Sequence, residues 1–174
     1  MTAVEPSDAA KRLLVEAEGY IALELFDEAA RRIESVSKAG LFPFECAVLR
    51  GESLRERDQL TEAVPFIRRA LQMKPGAVAA TVGFGWCAKR LGQTDLAITA
   101  YEAALERHPD VALLHYNLAC YQSLMGRADE ALEHLKLAIA QEKGFRDYAH
   151  AEEDFAGIRH LPAFRRLLKP PKEG

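Results

Sequence analysis

Alanine recurs at a fixed interval of 34 residues, at Ala29, Ala63, Ala97 and Ala131. No other feature of the chain limits its fold so tightly. A period of that length calls for one small unit stacked on copies of itself, not for one irregular core. Other columns keep the same register. Two residues before each alanine stand Asp27, Thr61, Asp95 and Asp129. These types accept bonds from orphan N–H groups at a helix start, and they predict N-caps there. Glu28, Glu62 and Glu130 directly precede three of the four alanines, where a helix dipole favours an acid. Ile33, Ile67, Tyr101 and Leu135 follow the alanines by four residues, one turn on and on the same face. Ala17, Gly51, Gly85 and Ala119 precede them by twelve. Small residues there let two helix backbones approach closely.

The punctuation between the columns predicts paired helices. Ser7 or Asp8 opens the first, which ends near Leu23, and its partner starts at Asp27 and closes at Ala39-Gly40. Pro43 suits the first turn of the next helix, which runs to about Glu56. Thr61 starts another, with Pro65 expected early enough to cost little. Pro75-Gly76, Leu91-Gly92 and His108-Pro109-Asp110 break the chain further on. Helices over 111–124 and 129–141 complete the fourth unit, and Gly144 sets off a final segment. Nothing alternates at period two, so no sheet is expected. The tail 170–174 is expected to be disordered.

These residues resemble the tetratricopeptide repeat family, whose 34-residue motif runs W-x2-L-G-x2-Y, then A-x3-F, A and P. The third unit carries Gly85, Gly92, Ala97, Tyr101, Ala104 and Pro109, and the second carries Gly51, Ala63, Ile67, Ala70 and Pro75. The fourth has Leu118, Ala119, Gly126, Ala131, Leu135 and Ala138, with Lys143 where proline is usual. The first has Ala17, Tyr20, Ala29 and Ile33, with Glu24 in place of the inter-helix glycine. No unit has tryptophan at the motif's tryptophan position. Phe145 to Leu168 resembles a C-terminal cap found after some bacterial repeats of this type, which keeps the last apolar face from water. The resemblance implies an all-α fold, a right-handed alpha-alpha superhelical solenoid of helix-turn-helix repeats. The expected organisation is one domain over 1–174, with repeats at about 10–43, 44–77, 78–111 and 112–145 and the cap at 146–168.

Bulk properties narrow the function. Apolar residues make up 49%, enough for a continuous core, and the net charge is −3 with both signs mixed along the chain. That gives no global field for nucleic acid or an anionic membrane. No segment has the length of a membrane span, and Met1 to Ala10 lacks the pattern of a secretory signal. Cys46, Cys87 and Cys120 form no close pair and no metal spacing, which suits reduced thiols packed among helices. A cytoplasmic, bacterial protein is the expectation. His150, Glu152, Glu153, Asp154 and His160 are types that ligate metal or transfer protons, but their spacing matches no motif, and Asp154 is expected to cap or turn the chain. No cofactor, metal or catalytic activity is expected.

The resemblance implies that the first helix of each unit lines a concave groove, through positions 2, 5, 9, 12 and 13. Carried over by register, these give Glu45, Val48, Glu52, Arg55 and Glu56 in the second unit and Ala79, Val82, Trp86, Lys89 and Arg90 in the third. The fourth gives Leu113, Tyr116, Cys120, Ser123 and Leu124, and the first Lys11, Leu14, Glu18, Ile21 and Ala22. The Lys and Asn clamp that grips chaperone tails elsewhere in the family is absent, since position 5 is Leu14, Val48, Val82 or Tyr116. The expected peptide-binding set is Glu52, Arg55, Val82, Trp86, Lys89, Arg90, Tyr116 and Asn117. Large rings give contact area at small entropic cost. Neighbouring cations can pair with a partner's carboxylate. The expected function is a non-catalytic interaction module holding a peptide or helix of a partner protein. The alternative is self-association, or an assembly-adaptor or chaperone-type role through the convex face.

Overall fold

The computed structural model describes residues 6–169. The expected tail lies outside them. Among the described residues there are helices and turns and no strand, so the fold is all-α as expected. The chain divides into two compact units, Met1–Leu91 and Gly92–Gly174.

The first unit holds α1 (Pro6–Ala22), α2 (Phe26–Lys38), α3 (Pro43–Glu56), α4 (Leu60–Met73) and α5 (Val78–Arg90). α1 pairs with α2 and α3 with α4, while α3 packs on α1 and α5. The small-residue column explains the fit. Ala17, Ala29, Ile33, Ala63 and Ala70 are buried along the seams. At Gly51 the approach is closest: a Cβ there would overlap Cγ1 of Ile67 on the facing helix. Pro43 takes the first helical position of α3. Pro65, expected early enough to cost little, is the sixth residue of α4, so the carbonyl of Thr61 loses its helical donor.

The second unit holds α6 (Thr94–Leu105), α7 (Ala112–Leu124), α8 (Ala128–Gln141), α9 (Phe145–Ala151), a 3-10 turn at Glu153–Phe155 and α10 (Pro162–Leu167). α7 packs on α6 and α8, and its remaining face meets the 3-10 turn, while α9 and α10 lie on α8. Phe145, Phe155 and Phe164 are buried, so residues 145–169 fold back as the cap that stacked repeats require. Asp154 lies within the 3-10 turn, whose N-cap is Glu152, its carboxylate accepting the Asp154 backbone N–H at 3.2 Å.

The turn inside each helix pair has one form. Glu24, Asp58, Gly92 and Gly126 have φ of 59°, 59°, 72° and 73°. The next residue's N–H reaches back five positions, Leu25 to Tyr20 at 2.8 Å, Gln59 to Leu54 at 2.9 Å and Arg127 to Gln122 at 2.9 Å. This is a Schellman ending, in which left-handed backbone closes the helix on its own last carbonyls. It also corrects the expected caps. The N-cap residues are Leu25, Gln59, Gln93 and Arg127, and none makes a side-chain cap bond. Asp27, Thr61, Asp95 and Asp129 lie inside the first turn, where the three acids act on the helix dipole instead.

Candidate functional site: the Trp86 face

In the first unit, α1, α3 and α5 are the first helices of their pairs, and their shared side carries the residues the register selects. Val48, Glu52, Arg55, Val82 and Trp86 are half-buried there. Leu14 and Ile21, also selected, are buried in the core between α1 and α2. Gly85 and Cys87, beside Trp86 in α5, are buried in the interior, which leaves the indole on the open side. The Arg55 guanidinium carbon lies 5.3 Å from the indole centroid and that of Arg90 lies 5.0 Å away. Cations at that range are drawn to the ring quadrupole, each by roughly 0.5–1 kcal/mol at an exposed site.

Both arginines already have carboxylates. Arg55 Nη2 lies 2.6 Å from Glu56 and 4.0 Å from Glu52, and Arg90 Nη2 donates to Asp58 at 2.9 Å. Asp58 stands at the left-handed turn position, so the turn that ends α3 also anchors the last residue of α5. Exposed pairs like these add little stability, roughly 0–1 kcal/mol each. Their work is geometric, since they hold two guanidiniums against one ring. Burial pushes the Glu52 carboxyl up from its ordinary value; Arg55 opposes this, and Glu56 and Glu18 add to it. The face therefore combines an aromatic anchor, apolar Val48 and Val82, and an excess of carboxylate over unpaired cation. Lys89 is half-buried at the same end of α5.

In the second unit the selected residues are placed differently. Tyr116 is only 6% exposed. Its ring stacks on Phe145 at 4.6 Å and meets the edge of Phe155 at 5.8 Å. Cys120 and Ser123, on the same side of α7, are buried too. The cap thus covers the middle of the α7 face that the register offers to a partner, while Leu113 and Leu124 at its two ends stay exposed. Asn117 is engaged as well: its amide donates to the Tyr101 hydroxyl at 3.1 Å and ties α7 to α6. Sequence register finds these side chains but not the cap on top of them. It also passes over Asp58, although Asp58 is in register with Gly92 and Gly126.

The remaining chemistry is quiet. All three cysteines are buried and none is in a disulfide, and burial pushes the Cys46 and Cys87 thiols up, away from the reactive thiolate. Among the described residues no group of three or more His, Cys, Asp or Glu side chains gathers as a metal site. No described helix is long and apolar enough to cross a membrane.

Two profiles of the tetratricopeptide repeat match, one over residues 14–78 and one over 54–118. Together they run across more than half of the chain. The protein belongs to the tetratricopeptide repeat family. Solved repeat structures agree. YrrB, a tetratricopeptide repeat protein with an unusual peptide-binding site, is 26% identical, with 84% of this chain and 75% of YrrB covered and a TM-score of 0.67. MamA from Desulfovibrio magneticus RS-1 is 16% identical, covering 95% and 97% of the two chains, with a TM-score of 0.68. MamA AMB-1 is 17% identical over 91% of each chain, with a TM-score of 0.63. The MamA likenesses establish the repeat solenoid fold. No curated protein matches significantly. The tetratricopeptide repeat is a protein-interaction module, and this chain has its solenoid architecture.

Proposed function

We propose that this protein binds a peptide or helical segment of a partner protein on the first-helix side of α1, α3 and α5, with Trp86 as the central anchor. One observation carries the reading. A large ring is only partly buried on the side of α5 away from the buried Gly85 and Cys87, and two guanidiniums stack at 5.0 and 5.3 Å to fix its orientation. An indole presented rigidly loses little entropy on binding, and such residues dominate interface energies. YrrB, 26% identical, has an unusual peptide-binding site, which supports the same class of function. Arg55 and Arg90 act as braces on Trp86, not as free charges awaiting a carboxylate. A non-catalytic, intracellular role accords with this reading.

Trp86 is the only tryptophan, so its emission reports the site directly. Trp86→Ala with Arg90→Ala is expected to abolish capture of partners from the native cell while leaving the melting temperature within a few degrees. A segment of the captured partner is expected to shift Trp86 emission in the wild-type protein. A folded double variant that captures the same partners as wild type would end the reading.

A further inference from the structure

The cap creates a recess entirely within the second unit. It measures ≈ 400 Å³ and is lined by Tyr116, Asp147, Tyr148, Ala151, Glu152 and Glu153. Three of the six are carboxylates and none is basic. Clefts of this size suit a ligand group.

The floor carries an anomaly. Tyr116 is 6% exposed, and its hydroxyl is buried with no hydrogen-bond partner. A buried hydroxyl left unpaired costs roughly 1–3 kcal/mol. Burial pushes its pKa well up, and nearby Cys120, Glu152 and Asp154 add to this, so it stays a neutral hydroxyl with lone pairs to offer. The walls need a donor as well. One carboxylate oxygen of Glu152 is engaged by the Asp154 N–H, and the Glu152 carbonyl is engaged by Arg159 Nη2 at 2.7 Å. Asp147 and Glu153 are exposed. Beside them the Tyr148 ring is 65% exposed, packed only at one side on Phe145 with centroids 6.0 Å apart.

Every polar feature of the recess accepts hydrogen bonds or attracts cations. Carboxylates accept only, the two tyrosine hydroxyls can accept, and a phenol face draws positive charge. The complement is an N–H-rich cation on an apolar stem, with Ala151 and the Tyr148 ring receiving the stem. We propose that this cleft binds a lysine or arginine side chain of a partner protein, with its charged head between Tyr116 and the carboxylates of Asp147, Glu152 and Glu153. The assignment rests on the protein-binding reading of the chain, but not on use of the Trp86 face.

The test uses the full-length, ¹⁵N-labelled protein and three small probes: blocked lysine, blocked arginine, and blocked norleucine as the uncharged control. Lysine or arginine is expected to move the amides of Tyr148, Ala151, Glu152 and Glu153, and norleucine is not. The paired change Glu152→Gln and Glu153→Gln keeps the turn-capping oxygen and should weaken the probe at least ~10-fold, about 1.4 kcal/mol. Tyr116→Phe should melt no lower than wild type and bind ~3-fold or more weaker. The response should persist in Trp86→Ala, so failure here is separable from failure at the Trp86 face. Equal responses to norleucine and lysine would overturn the assignment, as would no response at all. A Tyr116→Phe variant that keeps full affinity would remove the hydroxyl from the site and overturn the assignment.

Discussion

Glu24 holds a backbone conformation that an L-residue with a side chain resists. Its φ is 59°, shared with Asp58, while Gly92 and Gly126 take the same position in the later turns. Left-handed backbone costs a non-glycine residue roughly 1–2 kcal/mol, offset in part by the extra freedom glycine has when unfolded. Asp58 has a compensating pair in Arg90 at 2.9 Å. No ion pair or side-chain hydrogen bond of Glu24 is found among the described residues, and Glu24 is exposed. Glu24→Gly is therefore expected to stabilise the protein by about 0.5–1 kcal/mol, read as a higher urea midpoint at unchanged slope. An unchanged or lower midpoint would show that the turn is not under strain. This position was legible in the chain: the absent glycine of the first unit stands out against Gly92 and Gly126. The N-caps were not legible. Asp27 and its counterparts have the right chemistry, but the left-handed residue before them starts the helix two residues sooner, which leaves them inside the first turn.

Helix α7 is joined to α8 by more than apolar packing. His115 and His134 face each other with Nδ1 atoms 2.9 Å apart and rings stacked at 5.2 Å. His115 Nε2 lies 2.9 Å from the Pro109 carbonyl, which also accepts from Gln141 at 3.0 Å. A carbonyl only accepts, so His115 carries its proton on Nε2, and the His134 Nδ1–H must donate to His115. Burial lowers the His134 pKa below the ordinary value of 6.5, His115 lowers it further, and Glu133 and Glu130 oppose. A histidine with a depressed folded value is stabilised in its neutral form. That contribution is complete above the unfolded value of about 6.5, and it is lost as the pH falls through that value toward the lower folded one. The unfolding free energy is thus expected to drop between about pH 7.5 and pH 5.5. His134→Gln, which keeps a donor for His115, should flatten that slope, by one proton at most, in denaturant titrations at the two pH values. An equal slope in both proteins would place the titration elsewhere. The pairing was hidden in the sequence because nineteen residues separate the two rings. Only the register of α8 against α7 brings them together, and neither belongs to the repeat's own pattern.

At the scale of the molecule, the 34-residue columns made the repeating helix pairs readable, because each column is one contact: small residue against small residue, alanine against the seam. The groove was readable only in part. Trp86 and Arg55 come from the columns, but availability depends on what lies above a face, and the cap has no period to read. Phe145 and Phe155 occupy the space beside Tyr116 that a partner would otherwise use, with Phe164 packed behind Phe155 at 5.5 Å. This makes the cap part of the core of its unit. Removing residues 145–174 would expose the Tyr116, Cys120 and Ser123 side of α7, and would strip α8 of its cover at one end. Burial of three phenylalanines contributes roughly 1.5–3 kcal/mol each, a large share of the stability of a domain this size. A chain ending at Gly144 is expected to bind a hydrophobic dye, to self-associate on sizing by light scattering, and to melt well below the full chain. The full chain should stay at one molecular mass across a tenfold range of concentration. If the shortened chain remains monomeric and equally stable, the cap is an appendage. The Tyr116 face would then be a surface held in reserve for a partner, and the segment over it a removable cover.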